Sequence, residues 1–305
     1  MAKQTNPSLA SGLATIRRSP RLIVAVWFVP ALLIGQFILA IQTAYSSALG
    51  KLPAVAAPGD PTLILMATTG RLGRVVMLSA LVAAVGTWLW TVLWHAGLVT
   101  WRVWAADRPQ RLGELIGHGV MRWWRYLRLA LVASVASLVL LVAVTQGFGA
   151  AARRVGETLR EAAAMRITLA GGAVAIILVL FLWAGTLRAL WELAETGRRS
   201  AVLAWLRGLG GALRHPLVSL GVLLAWVVPA LILWIAAFFG ARALGAIGGG
   251  LPAYLVLQVG ALLRAVAWVG LVGSFAPIVG LAVRPALEKP VRTRESESAR
   301  VAAAG

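Results

Sequence analysis

Six long apolar runs recur along this chain and restrict it to a membrane. Each holds about 20 or more residues almost without charge, and a helix needs about 20 residues to cross a bilayer core of roughly 30 Å. The predicted spans are Leu22–Ala44, Val75–Trp101, Leu129–Phe148, Ile167–Leu187, Leu217–Ala241 and Pro252–Val283. Because the runs lack the alternation of barrel strands, the sequence predicts an all-α polytopic membrane helix bundle with six transmembrane helices.

The composition agrees with this class and excludes several others. Of the 305 residues, 60% are hydrophobic and 13% are charged, which is too apolar for a soluble domain of this length. Cysteine is absent, so the chain has no disulfide framework, thiolate metal site or cysteine nucleophile. The first apolar run is longer than the roughly 7–15 residues of a signal-peptide core, so we expect it to be retained as a span.

The formal net charge of +19 is explained by membrane topology. With the predicted spans, 20 Lys and Arg residues fall on the side of the termini and 8 on the other side, and Arg264 lies inside the last run. The positive-inside rule then predicts that both termini are cytoplasmic. We expect a multi-pass protein of a bacterial cytoplasmic (inner) membrane, with anionic lipids as partners and no nucleic-acid partner.

One short motif occurs twice, as WFVPALL at 27–33 and as WVVPALI at 226–232. Each copy follows a basic segment with apolar residues at helical spacing, which ends in RRSPRL or LRHPL. A third basic segment, ending in RWWRYLRL, lies between them at a spacing of about 100 residues. The apolar stripes are Leu9, Leu13 and Ile16; Leu112, Leu115, Ile116, Val120 and Trp123; and Val202, Trp205, Leu206, Leu209 and Leu213.

The repeat predicts three units, each an in-plane amphipathic helix followed by a transmembrane hairpin. The approximate repeats are 7–107, 108–197 and 198–284, within a single membrane domain at 1–284. Residues 285–305 are polar and charged, and we expect a flexible cytoplasmic tail there.

Tryptophans cluster in and beside the basic segments. Indole rings prefer the headgroup level of a membrane, where the ring is buried and its N–H stays hydrated. We therefore predict that six of them mark the membrane interface, with an aromatic ligand site as the alternative. These are Trp101, Trp104, Trp123, Trp124, Trp191 and Trp205.

Four polar residues within the predicted spans are candidates for an intramembrane site, namely Arg264, Gln36, Gln258 and His95. A buried Arg costs about 2.5–3.5 kcal/mol at the bilayer centre. Counting back from Arg284 places Arg264 roughly 30 Å away, near the outer edge, where it could extend to water. If Arg264 is deeper, either glutamine is a possible partner. A seventh crossing, with a break at Arg264, is the other interpretation of this region, but it conflicts with the positive-inside rule.

No catalytic signature is present. The chain lacks a G-x-S-x-G elbow, a Walker A loop and an H-E-x-x-H motif. His95, His118 and His215 have no metal-ligand spacing, so we predict no metal and no cofactor. Arg188 and Glu192 stand i, i+4 and could pair on the surface, or engage a neighbouring basic in-plane helix. Pro30, Pro229 and Pro277 fall within spans, where a kink can serve helix packing or a transport site.

The amphipathic helix running through LRHPL into a span, repeated along a six-span chain, resembles the membrane domain of some bacterial glycerophosphodiester phosphodiesterases. Related stand-alone six-span membrane proteins of unknown function are similar. The likeness rests on residues 198–240 and also on 7–44 and 108–148. The catalytic domain of those enzymes has no counterpart in this chain, so the resemblance implies an architecture only.

The sequence favours a non-catalytic membrane organiser or accessory subunit, whose in-plane helices engage inner-leaflet lipids, a protein partner or a second copy. The alternative is a small-solute or ion transporter built on the internal repeats. A transporter needs a polar cavity near the midplane, lined by the kinked spans and intramembrane polar groups. A dry, closely packed interior would argue against transport.

Overall fold

The computed structural model describes residues 7–49, 70–104, 111–158, 161–196, 200–246 and 250–279. The predicted tail at 285–305 lies outside these residues. The described chain forms eight α-helices and a short 3-10 turn. They are α1 Pro7–Arg18, α2 Pro20–Leu49, α3 Gly70–Trp104, α4 Leu112–Thr158, α5 Glu161–Thr196, α6 Ala201–Arg214, α7 Pro216–Ala246, α8 Gly250–Ser274 and the turn Pro277–Val279.

The prediction of an all-α membrane helix bundle is confirmed. The described residues contain helices and no strand. Helices α3, α4, α5, α7 and α8 are each long and apolar enough to cross a membrane, and α1 with α2 forms a bent pair that could be a sixth span. The chain is therefore a multi-pass membrane protein. Its helices pack as three hairpins, α2 with α3, α4 with α5 and α7 with α8, and α1 packs on α8.

Proline separates the two short helices from the spans that follow them. Helix α1 ends before Ser19, and the chain bends by 80° into α2, whose first residue is Pro20. Helix α6 ends before His215, and α7 starts at Pro216. A proline has no N–H to continue a helix and disfavours helical backbone in the residue before it, yet it fits a first helical position.

The middle unit differs from its prediction. Residues 112–158 form one continuous helix of 47 residues, so no separate in-plane helix precedes the span there. The physical reason lies in the sequence, because RWWRYLRL has no proline where RRSPRL and LRHPL have one. The basic residues of this unit therefore lie on the first turns of α4 itself.

The α-helix of the last span ends earlier than predicted. Helix α8 ends at Ser274, and Pro277 lies in the 3-10 turn beyond it rather than inside a spanning helix. Helix α8 also passes through Arg264 without a break, which contradicts the seventh-crossing alternative. Pro30 and Pro229 lie within α2 and α7, as expected.

The core lies where α1 and α6 meet the spans, away from the ends of the hairpins at 49–70, 158–161 and 246–250. Its largest fully buried side chains are Trp101, Trp191, Tyr126 and Phe275. Farther along the hairpins, large apolar side chains such as Met77, Leu138 and Phe239 are more than half exposed. Such surfaces suit a bilayer, because lipid tails solvate them as well as a protein interior does.

Candidate functional site

Helix α6 has two apolar faces, and it buries the one whose side chains, apart from Trp205, are small. Ala201, Ala204, Gly208 and Ala212 are buried. A Cβ on Gly208 would collide with the backbone carbonyl of Gly185, so α6 and α5 touch almost backbone to backbone.

The opposite face of α6 carries branched aliphatic side chains. Val202, Leu206 and Leu213 are exposed by 50%, 53% and 67%. Arg207 and Arg214 are exposed beside them. A helix on a water-exposed surface would bury its leucines and expose its alanines. The outer face of α6 therefore requires an apolar environment other than the protein interior.

Helix α1 is arranged in the same way with small polar residues. Ser8, Ser11 and Thr15 are buried, as is Ser19 just after the helix, while Leu13 is 53% exposed. The hydroxyl of Ser11 donates to the carbonyl oxygen of Gly273 on α8 at 2.9 Å. It also accepts from Nη2 of Arg102 on α3 at 3.3 Å. Exposed Arg17 and Arg18 follow near the end of the helix.

The first turns of α4 repeat this pattern within a longer helix. Leu115 and Tyr126 are buried, whereas Val120, Met121 and Trp124 are exposed by 60%, 85% and 61%. The guanidinium of Arg128 lies 5.5 Å from the centre of the Trp124 ring. We call the exposed sides of α1, α6 and the first turns of α4 the basic apolar faces. They consist of Leu13, Arg17 and Arg18; Val120, Met121, Trp124 and Arg128; and Val202, Leu206, Arg207, Leu213 and Arg214.

The structure divides the six tryptophans predicted at the interface. Trp101, Trp191 and Trp205 are buried among helices rather than exposed, and their depth in the membrane stays a prediction. The indole of Trp191 donates to the carbonyl oxygen of Val272 at 2.9 Å, and that of Trp205 donates to the hydroxyl of Thr186 at 3.2 Å. These two rings thus satisfy their N–H groups internally, whereas the indole nitrogen of Trp101 is buried without a hydrogen-bond partner among the described residues.

The other three tryptophans lie at or near the surface. Trp104 and Trp124 are exposed by about 60%. The indole of Trp104 donates to the carbonyl oxygen of Ala194 at 3.3 Å, and the guanidinium of Arg122 lies 5.1 Å from the centre of its ring. Trp123 is half-buried. Two of the six residues therefore retain the exposure expected of a membrane interface.

The four intramembrane polar residues do not gather into one polar site. Gln258 accepts a hydrogen bond of 3.1 Å from the indole of Trp27, which joins α2 to α8. Gln36 is exposed. The ring of His95 lies 4.0 Å from that of Trp94 and 6.4 Å from that of Trp268. Its Nε2 atom is buried without a hydrogen-bond partner in the described chain.

Glu192 engages the neighbouring helix, which was the second of its two predicted roles. Its carboxylate lies 3.5 Å from Nη1 of Arg207 on α6. Arg188, the other predicted partner, is buried, with its guanidinium against Gly211. Helix α6 is thus tied to α5 by an ion pair as well as by close packing.

Arg264 lies nearer the middle of its helix than the sequence count indicated. That count assumed a helix as far as Val283, whereas α8 ends at Ser274. At 1.5 Å per residue, Arg264 lies about 15 Å from Ser274 and about 21 Å from Gly250. It is therefore near the middle of α8, on an exposed face, and forms no hydrogen bond or ion pair with any residue that the structure describes.

Arg264 borders an aromatic cleft between α7 and α8, which sequence reasoning missed. The cleft has a volume of about 300 Å³. Its principal lining residues are Trp183, Trp226, Trp234, Arg264, Trp268 and Leu271. The rings of Trp183 and Trp268 are 4.7 Å apart, so α5 closes one wall. The signal was present, because Arg264, Trp268 and Leu271 share one helix face at i, i+4 and i+7. We call this the tryptophan cleft.

No protein-family model, curated protein or solved structure matches this chain. The resemblance to the phosphodiesterase membrane domain therefore stays a prediction. Among the described residues, no group of three or more His, Cys, Asp or Glu could hold a metal ion.

Proposed function

We propose that this protein is a non-catalytic organiser or accessory subunit of a bacterial cytoplasmic membrane, which binds anionic inner-leaflet lipids through its basic apolar faces. One observation carries the proposal. Helix α6 buries Ala201, Ala204 and Gly208 but exposes Leu206 and Leu213 beside Arg207. Small residues let helices approach closely, and the larger side chains are left for lipid.

The charge on these faces supports lipid over other apolar partners. Arginine stems can lie along an apolar surface while the guanidinium reaches the headgroups. Each basic residue near an anionic membrane surface contributes about 1 kcal/mol of attraction. Arg17, Arg18, Arg207 and Arg214 all accompany exposed leucine or valine side chains, as in amphipathic helices that lie in the membrane plane.

The basic apolar faces also indicate how the protein is oriented in the membrane. The ends of α1 and α6 and the first turns of α4 lie on the side to which we assign both termini and most of the basic residues. The positive-inside rule places that side in the cytoplasm.

The transporter alternative receives less support from the described residues. Gln258 already accepts a hydrogen bond from Trp27, and Gln36 is exposed. At the crossing of α1 with α8, a Cβ on Gly12 would meet the carbonyl oxygen of Gly270 at 2.6 Å. The described interior is closely packed at this crossing, whereas a transporter needs a polar cavity near the midplane.

Single-cysteine labelling tests the membrane position of α6, and the absence of native cysteine removes background. Spin labels at Leu206→Cys and Leu213→Cys should be accessible to oxygen and protected from a water-soluble nickel complex. A label at Arg207→Cys is the matched control on the same helix and should be more accessible to nickel. If all three labels are equally accessible to nickel, α6 does not lie in the membrane, and a cytoplasmic protein partner would better explain its leucine face.

Lipid selectivity tests the second half of the proposal. In nanodiscs of mixed phosphatidylglycerol and phosphatidylcholine, the native chain should enrich phosphatidylglycerol around it. The Arg207→Gln, Arg214→Gln double variant should lose up to about 2 kcal/mol of attraction to an anionic surface. Arg242→Gln, which removes an exposed charge near the far end of α7, serves as the control. Equal enrichment in all three proteins would refute lipid engagement by α6.

A further inference from the structure

Arg264 lies on an exposed face of α8 and has no anionic partner among the residues that the structure describes. The chain contains no Asp or Glu between Glu195 and Glu288, so neither α7 nor α8 can supply a carboxylate. Glu192 of α5 is already paired with Arg207 of α6. A guanidinium near the middle of a spanning helix is stabilised by pairing, because hydrocarbon does not solvate it.

The tryptophan cleft beside Arg264 supplies a wall for a hydrocarbon chain. Its surface is mainly indole and aliphatic, and Arg264 is the one charged group among its lining residues. The indole N–H of Trp226 is already used, since it donates to the hydroxyl of Ser274 at 2.8 Å. The cleft thus combines one cationic group with an otherwise apolar trough.

Its size and charge distinguish between classes of amphiphile. A volume of about 300 Å³ is at the lower end of ligand sites, which suits one chain rather than two. The planar fork of a guanidinium matches a carboxylate through two parallel hydrogen bonds and balances its single charge. A diacyl phosphate would bring a second chain and further oxygens, for which the lining residues offer no second charged partner.

We infer that the tryptophan cleft binds a long-chain carboxylate, with the carboxylate on Arg264 and the chain along Trp226, Trp234 and Trp268. This site is separate from the basic apolar faces, since α5, α7 and α8 supply its lining. The inference therefore does not depend on the proposed function.

Photolabelling of the full chain in phosphatidylcholine nanodiscs tests the site. A photoactivatable fatty acid should label peptides that contain residues 226–234 or 264–271. Oleate should compete, methyl oleate should compete at least about tenfold more weakly, and dioleoylphosphatidylglycerol at equal concentration should not. Equal competition by methyl oleate would overturn the role of the charge. Stronger competition by phosphatidylglycerol would assign the cleft to a diacyl lipid and overturn the inference.

Variants test where the carboxylate and the hydrocarbon chain of the ligand bind. Arg264→Gln should weaken fatty-acid binding about tenfold or more, and Arg264→Lys should retain part of it, while the control Arg242→Gln should bind as the native chain does. Trp234 is 43% exposed, so Trp234→Leu should fold and also bind more weakly. Phe239→Leu, on the same helix but outside the cleft, is its control. Unchanged binding by Trp234→Leu, or by a folded Arg264→Gln variant, would contradict the assignment.

Discussion

The indole nitrogen of Trp226 on α7 donates a 2.8 Å hydrogen bond to the hydroxyl of Ser274, the last residue of α8. That hydroxyl in turn donates to the carbonyl oxygen of Gly270 at 2.9 Å. Trp27, at the equivalent place in the other copy of the repeated motif, donates to Gln258, which lies nearer the start of α8. Both motif tryptophans thus dock their helices on the same partner helix.

Replacing Trp226 by Phe should remove the bond to Ser274 while keeping most of the ring packing. Because the serine hydroxyl still donates to Gly270, we expect a loss of about 0.5–1.5 kcal/mol in the free energy of unfolding. Unfolding in mixed micelles by sodium dodecyl sulfate titration measures this change. Trp234→Phe is the control. Trp234 is 43% exposed, and its indole donates no hydrogen bond to any residue that the structure describes. Equal losses in the two variants would show that the bond contributes nothing.

Two neighbouring glycines of α6 should respond oppositely to alanine. A Cβ at Gly208 would collide with the carbonyl oxygen of Gly185, which is backbone and cannot turn away, whereas a Cβ at Gly210 meets nothing within 4 Å. We expect Gly208→Ala to destabilise the fold by about 1–3 kcal/mol. Gly210→Ala should be neutral or stabilise it by up to about 1 kcal/mol. The shift in thermal midpoint in a single detergent compares them, and similar behaviour of the pair would contradict close α5–α6 packing.

Ser11→Ala should destabilise the contact between α1, α3 and α8. The change removes the donor to Gly273 and the acceptor for Arg102, both in a buried region. Leaving buried polar groups unpaired costs about 1–3 kcal/mol in the free energy of unfolding. Ser134→Ala, at an exposed position on α4, should change stability little and controls for the substitution itself. Protease sensitivity of the first 20 residues provides a second readout, and resistance equal to that of the native chain would count against the network.

Glu192→Gln should have only a small effect. The Arg207 side chain in this pair is 44% exposed, and the distance of 3.5 Å is long for a charge-assisted hydrogen bond. Exposed pairs contribute about 0.2–1 kcal/mol and are screened by salt. We therefore expect a shift below about 1 kcal/mol that vanishes in 1 M salt. A larger, salt-resistant loss would mean that the ion pair, rather than the small-residue contact, holds α6 in place.

Local sequence chemistry anticipated the helix breaks better than the repeat did. The prolines at 20 and 216 mark the breaks after α1 and α6. The repeat pattern predicted a third break near Arg128, but α4 continues through it because nothing there interrupts the hydrogen-bond ladder. The three hairpins are present, whereas the equivalence of the three units stays a prediction.

Burial was harder to predict than secondary structure. Trp101 and Trp104 lie one helical turn apart, yet the first is 1% exposed and the second is 60% exposed. Similarly, Leu206 of the predicted stripe is exposed while Trp205 beside it is buried. Residue type predicted that all four lie near the membrane interface. Contacts with residues distant in sequence decided which of them are buried.

The sequence by itself determined that this chain is a bundle of membrane helices, roughly where the spans lie, and where proline ends the two short helices. Backbone hydrogen bonding and the length of apolar runs depend on local residues, so these features can be read in order along the chain. Only the tertiary structure decided which faces are buried, and it alone brought Arg264 together with Trp183 and Trp234. The reason is that lipid and protein interiors are similarly apolar, so hydrophobicity does not choose between them, and the fit of small residues at helix crossings does.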